Sequence, residues 1–441
     1  MRSQLIVMVT AVASILLVAQ VSAADPVQDQ FRLMEQRMAE MEDRLAATSN
    51  KLDAAETKLD QRDAQLQEHG LLDEGDSSLR SGVGRFFEMV DFSGVIAASY
   101  NHRLKDDSVE GDLAGGNALF RHPDANTFAL DQFWLIVDKT PTEESRGGFH
   151  VEFVTGQSGF ARGQDSTDEP YFYSGYVSYL APIGNGVQVD AGRLTTPLGA
   201  EGMQTDKNFN ITQGLVFNLR PVNHTGVSVS TPLTDELGII LGAVNEVYSD
   251  TFTSEDNDKA FYGQLVYAQD NWGLKVGAIV GDDTGGDPCG AATDLAGNSL
   301  GRSDCKSSVL DVVLSMDPTD DLSLWVNYDW AHSGGQDYLG HGDAHGIAAA
   351  GRLAVTETVG VASRVEYVWK EDSLARSPDD LTARASDDSE QISLTATVDK
   401  ELAEGLVTRF EVRWDHSLEQ VDFPSDDSDQ VVALAEIYYS F

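Results

Sequence analysis

The chain has 441 residues, 41% of them hydrophobic and 23% charged, so it can bury a core and is not disordered throughout. Acids outnumber bases 72 to 30, a formal charge of −42 that excludes a phosphate-gripping nucleic-acid protein and a basic dock on anionic lipid. Two cysteines exclude a disulfide scaffold and a cysteine-based zinc site.

Met1 and Arg2 precede an uncharged apolar stretch from Leu5 to Ala19, and Val21-Ser22-Ala23 carries the small residues of a cleavage site. Residues 1–23 are therefore expected to be a signal peptide, the apolar run being short for a membrane anchor. No later run is long and apolar enough for a transmembrane helix. An exported chain of this kind is either soluble or enters a membrane as strands.

Residues 24–69 carry a heptad pattern. Phe31, Met38, Leu45, Leu52, Leu59 and Leu66 recur every seven positions, with Met34, Met41, Thr48, Ala55 and Arg62 as their d partners. One narrow stripe cannot stabilise a lone helix in water, so the segment is expected to self-associate as a periplasmic coiled coil or to pack on another surface. A homotrimer is the expected assembly, with cell-wall contact as a further role for the stalk. Residues 70–86, rich in Gly, Ser and Asp, read as a linker.

From residue 87 to residue 441 the period changes from seven to two. Phe149, Val151 and Phe153 alternate with His150 and Glu152; Phe410, Val412 and Trp414 alternate with Arg409, Glu411, Arg413 and Asp415. Each segment has one apolar face over a length that crosses a bilayer as a tilted strand. About sixteen such segments follow one another. Short turns such as 182–186, 232–235 and 269–271 alternate with long polar loops near 102–126, 158–170, 197–224, 248–258, 282–307, 332–343, 371–388 and 417–429. A soluble sandwich has no reason to put every long loop at one end, whereas an up-and-down membrane barrel does so by construction. The expected fold class is thus an all-β membrane barrel of about sixteen antiparallel strands in outer-membrane lipid. Ile437, Tyr439 and Phe441 form a terminal apolar face, read as the signal for barrel-insertion machinery.

Two stretches carry a resemblance. Gly192-Arg193-Leu194-Thr195-Thr196-Pro197-Leu198-Gly199-Ala200-Glu201 and Arg220-Pro221-Val222-Asn223-His224-Thr225-Gly226-Val227 resemble the OmpL-like outer-membrane β-barrel porins. A heptad stalk ahead of the barrel is similar to that of some trimeric porins. The resemblance implies passive diffusion of small solutes, with no catalytic centre and no cofactor. In sixteen-strand porins the third loop commonly folds into the lumen, which marks Glu201, Asp206, Lys207 and Arg220 as constriction candidates.

Other chemistry is thin. No Walker loop, Rossmann glycine pattern, HExxH or GxSxG occurs in a fitting context. His341 and His345 sit in a Gly-rich loop without a third ligand, and Asn223-His224-Thr225 has no partner nucleophile. No metal site is expected. Cys289 and Cys305 bracket 15 residues of one loop, and a disulfide between them would stabilise by about 3 kcal/mol.

The polar strand faces hold the functional information. Acids expected to line the pore are Asp91, Glu152, Asp190, Asp311, Asp329, Glu366 and Glu411; the expected basic cluster is Arg352, Arg364, Arg409 and Arg413. A basic wall opposite an acidic loop would set a transverse field across a narrow channel. The alternative is a wide vestibule in which salt screens those charges within about 8–10 Å. The expected function is a water-filled outer-membrane porin for small hydrophilic solutes and ions. The other reading is a structural or adhesive anchor whose acidic loops face outward and whose stalk meets the cell wall.

Overall fold

The computed structural model describes residues 89–104, 126–156, 171–248, 259–282, 306–333, 342–371, 388–418 and 429–441. The signal-peptide, coiled-coil and linker segments and both cysteines, Cys289 and Cys305, lie outside the described residues.

The strands follow the alternating segments. They are β1 (Asp91–Arg103), β2 (Phe128–Lys139), β3 (Gly147–Thr155), β4 (Tyr171–Ala181), β5 (Val187–Thr195), β6 (Asn223–Pro232), β7 (Leu237–Val244) and β8 (Ala260–Gln269). The second half comprises β9 (Trp272–Asp282), β10 (Lys306–Thr319), β11 (Leu322–Ser333), β12 (Gly342–Thr356), β13 (Val359–Glu371), β14 (Asp388–Ala403), β15 (Leu406–Ser417) and β16 (Asp429–Ser440). Each pairs antiparallel with its chain neighbours, and β1 pairs with β16, so the sheet closes into a sixteen-strand barrel. Closure leaves no edge with unpaired amides, which is what permits strands in hydrocarbon. Phe441 completes it by exchanging two backbone hydrogen bonds with Gly94, each 3.1 Å.

The alternation predicts the sidedness correctly. Phe92, Phe261, Val280, Ile347, Leu394, Phe410 and Ile437 all point outward and are exposed, Phe261 to 60%. In water such a continuous apolar band would be a severe liability; in lipid it is the solvated face. The Tyr267 and Trp272 rings meet at a tilt with centroids 5.1 Å apart near the short turns, where amphipathic rings suit a membrane interface.

The inside departs from the expectation of a uniformly polar lumen. Two apolar clusters form within the barrel. One joins Leu198, Leu215, Val216 and Leu219 to Val244, Ile279, Val309, Ala331, Ala348 and Val368 on the wall from β7 to β13. The other joins Met203, Phe217 and Val222 to Val95, Trp134, Val154 and Tyr173 on β1 to β4. Both are built on residues 196–222, the connection between β5 and β6, which therefore lies inside the barrel.

Candidate functional site

The third long loop is carried inward by its own composition. Ile211, Leu215, Val216, Phe217 and Leu219 are too apolar for a solvated loop and are buried, Leu215, Val216 and Leu219 against mostly small or aliphatic wall positions and Phe217 against Trp134 and Tyr173. Two short 3-10 helices, Thr205–Lys207 and Val216–Leu219, compact the segment. At its start Gly199 takes φ +91°, and a Cβ there would stand 1.9 Å from Nε of Arg220. Glycine is thus required both for the backbone turn and for the approach of the arginine.

Polar clamps fix the loop to β13, β15 and β16. Arg364 donates from Nη1 to Glu201 Oε1 at 2.5 Å and to the Thr212 carbonyl at 2.6 Å, and from Nε to Glu366 at 2.9 Å. Arg409 donates from Nη2 to Glu436 at 2.5 Å and from Nη1 to the carbonyls of Asn208 and Asn210 at 3.0 and 3.3 Å. Arg413 donates to Asp415 at 2.8 Å and to the Gln213 carbonyl at 2.7 Å. Glu411 accepts from the amides of Ile211 and Thr212 at 2.6 and 3.1 Å, and Glu366 accepts from the amide of Val216 at 3.2 Å. From the other side Gln132 donates to the Met203 carbonyl at 2.9 Å, and Asn327 accepts from the amide of Ala200 at 3.1 Å.

This geometry redistributes the charges read from the strands. Arg364, Arg409 and Arg413 face inward but are 2%, 3% and 0% exposed, because the loop covers them. They hold backbone rather than facing water. Glu366 and Glu411 are buried in the same clamps. Arg352 is the part-exposed member of the four, forked onto Asp399 with Nη2–Oδ1 2.5 Å and Nε–Oδ2 3.1 Å. Asp311 and Asp329 oppose each other across β10 and β11, fully buried, and share the Asn327 amide at 2.8 and 3.0 Å. Glu152 Oε1 pairs with His150 Nε2 at 3.0 Å, Asp190 accepts from Ser178 at 2.5 Å, and Asp91 is exposed at the turn end of β1.

The loop candidates separate as well. Glu201 is spent on Arg364, and Arg220 lies 4.5 Å over the Phe217 ring. Asp206 and Lys207 pair at 3.3 Å, and the Lys207 side chain is 65% exposed. Burial and the neighbouring Glu366 push the Glu201 carboxyl above the usual glutamate range, against the pull of Arg364. His224 is buried against Tyr262, ring centroids 5.8 Å apart. Ile437, Tyr439 and Phe441 lie exposed on the outer face.

Sequence reasoning missed three lumen residues. His150 bridges Asp138 (Nδ1–Oδ1 2.8 Å) and Glu152 while stacking on Tyr176 at 5.0 Å. Lys275 is exposed on the inner face of β9, alternating with the outward Trp272 and Val276. The Asp138–His150 contact was legible only from the β2–β3 register, in which the two residues pair directly. In a closed ring of sixteen, β4 and β12 stand eight strands apart. Arg352 on β12 therefore faces, across the lumen, the wall that bears Asp138, His150, Glu152 and Asp190.

Comparison with known proteins places this geometry. Similar folds include a loop-L8 deletion form of OmpT, an outer membrane protein of Vibrio cholerae (14% identity, TM-score 0.52, 80% of this chain and 99% of that chain). The outer membrane channel DcaP of Acinetobacter baumannii matches at 11% identity and TM-score 0.51 over 80% of this chain and 97% of that one. OprB of Pseudomonas putida matches at 12% and 0.53 over 82% and 98%. No curated protein sequence matches. The family described as "Putative beta-barrel porin-2, OmpL-like" matches residues 89–441. A closed sixteen-strand barrel with its third loop clamped in the lumen, matched by that family over the whole barrel, makes this chain a member of the OmpL-like β-barrel porins of the outer membrane.

Proposed function

We propose that the barrel is a diffusion channel whose passage is narrowed by the third loop and polarised across the turn-side half of the lumen. The single observation that carries this is the loop itself, clamped through Arg364, Arg409 and Arg413 to the wall. With those arginines committed, Asp138, Glu152 and Asp190 stand on one wall, and on the other side are the exposed Lys275 and the part-exposed Arg352, the latter paired with Asp399. A transverse field between them would orient dipolar solutes, and the acidic excess of the chain would concentrate cations. The channel is expected to be weakly cation-selective and to assemble as a homotrimer, with the N-terminal heptads setting register and the Cys289–Cys305 loop closed by a disulfide.

A second reading has an observation of its own. In the half of the barrel nearest the long loops, inward residues such as Ile279, Val309, Ala331, Ala344, Val368 and Val432 are buried. A loop packed this tightly would also suit a structural anchor. Planar-bilayer recording separates the two: the channel gives regular current steps, and an anchor gives none.

A further inference from the structure

Between the third loop and the turn ends of β12 to β16 lies a crevice of about 300 Å³. Two ion pairs border it, Lys207–Asp206 on the loop and Arg352–Asp399 on the wall. Neither cation is saturated. Lys207 meets one carboxylate at 3.3 Å and is 65% exposed, and Arg352 gives Nε and Nη2 to Asp399 while Nη1 has no acceptor among the described residues. Glu357 and Glu401 stand exposed at the rim, with no cation paired to either among the described residues. Phe209 and Tyr438 also line the crevice. Arg409 also borders it but is committed to Glu436 and to the loop backbone.

The crevice thus offers spare cationic donors, spare carboxylates and aromatic surface within one lining. A simple anion would meet four carboxylates, and a simple cation would leave the Arg352 and Lys207 donors unused. A molecule carrying both charges satisfies both sets. We infer that this crevice is a binding subsite for a small zwitterion of the α-amino-acid type, its carboxylate on Arg352 and Lys207 and its ammonium on Glu357 and Glu401. The inference deepens the channel reading by naming a solute class, and rests on it for how the solute arrives.

The test is calorimetric titration of the full-length protein in detergent micelles with L-leucine, 4-methylpentanoate (leucine without its amine) and 3-methylbutylamine (leucine without its carboxylate). Leucine is expected to bind, and each half-molecule to bind about tenfold more weakly or worse. Lys207→Gln and Glu401→Gln should each weaken leucine by about tenfold. The carboxylate probe should ignore Glu401→Gln, and the amine probe should ignore Lys207→Gln. Both side chains are exposed, so folding should persist, and heat-modifiable migration in gels verifies it. Equal binding of leucine and a half-molecule, absence of binding at millimolar leucine, or indifference of leucine to both substitutions would overturn the subsite. Leucine binding by a barrel that passes no current would uphold the subsite and refute the channel.

Discussion

Arg364 shows how a lumen charge becomes a structural part. Its guanidinium joins two carboxylates and a loop carbonyl and is only 2% exposed, so the cost of desolvating it is met by partners buried with it. Replacing Arg364 with Met leaves Glu201 and Glu366 buried and unpaired. That should cost about 3–5 kcal/mol, read from the urea midpoint of the folded-barrel gel band. Adding Glu201→Gln and Glu366→Gln to the same chain should restore most of it, because no buried charge then lacks a partner. Glu201 brings a pH dependence of its own. Its carboxyl sits above the ordinary range when the loop is docked, so its stabilising contribution is complete below the free glutamate value of about 4.3 and is lost as pH rises through the docked value. Docking should therefore tighten as pH falls from neutrality toward that range, and Glu201→Gln should flatten the trend in the same urea assay.

The strands were legible in the sequence and the loop's position was only partly so. Alternation in Phe149–Phe153 or Phe410–Trp414 reports an apolar outer face directly, since lipid solvates one side and not the other. The inner face is ambiguous. Arg409, Glu411 and Arg413 look the same whether they line water or grip a loop, because their partners at residues 205–213 are about two hundred positions away in sequence. Two signals pointed to the clamp without being decisive: each arginine has an acid two positions away on the same face, and the loop carries Ile211, Leu215, Val216, Phe217 and Leu219 where a solvated loop would be polar. The pairings also rewrite what the arginines control. Neutralising Arg409 and Arg413 should change step size and its regularity by freeing the loop, rather than shifting the reversal potential directly. The loop offers a cleaner perturbation at Gly214, where a Cβ would stand 2.1 Å from Glu366 Oε1. Gly214→Ala should lift the loop from β13, cost about 1–3 kcal/mol in the urea assay and enlarge the single-channel step.

At the scale of the barrel, the outer surface is apolar and the interior is filled in part by the packed third loop. Assembly into trimers should draw mainly on the barrel, because the heptad positions Thr48, Ala55 and Arg62 are weak d residues. Deleting residues 24–69 should leave trimers that form less efficiently, and light scattering in mild detergent checks it. Selectivity should follow the residues that remain free to meet solute. Asp138→Asn with Asp190→Asn should lower cation preference, while Lys275→Gln with Arg352→Gln should raise it. The most direct measurement is single-channel current across a salt gradient in a planar bilayer. The account predicts regular steps with a modest cation preference that fades as salt rises and screening shortens. Silence from correctly folded barrels, or a preference for anions, would contradict it.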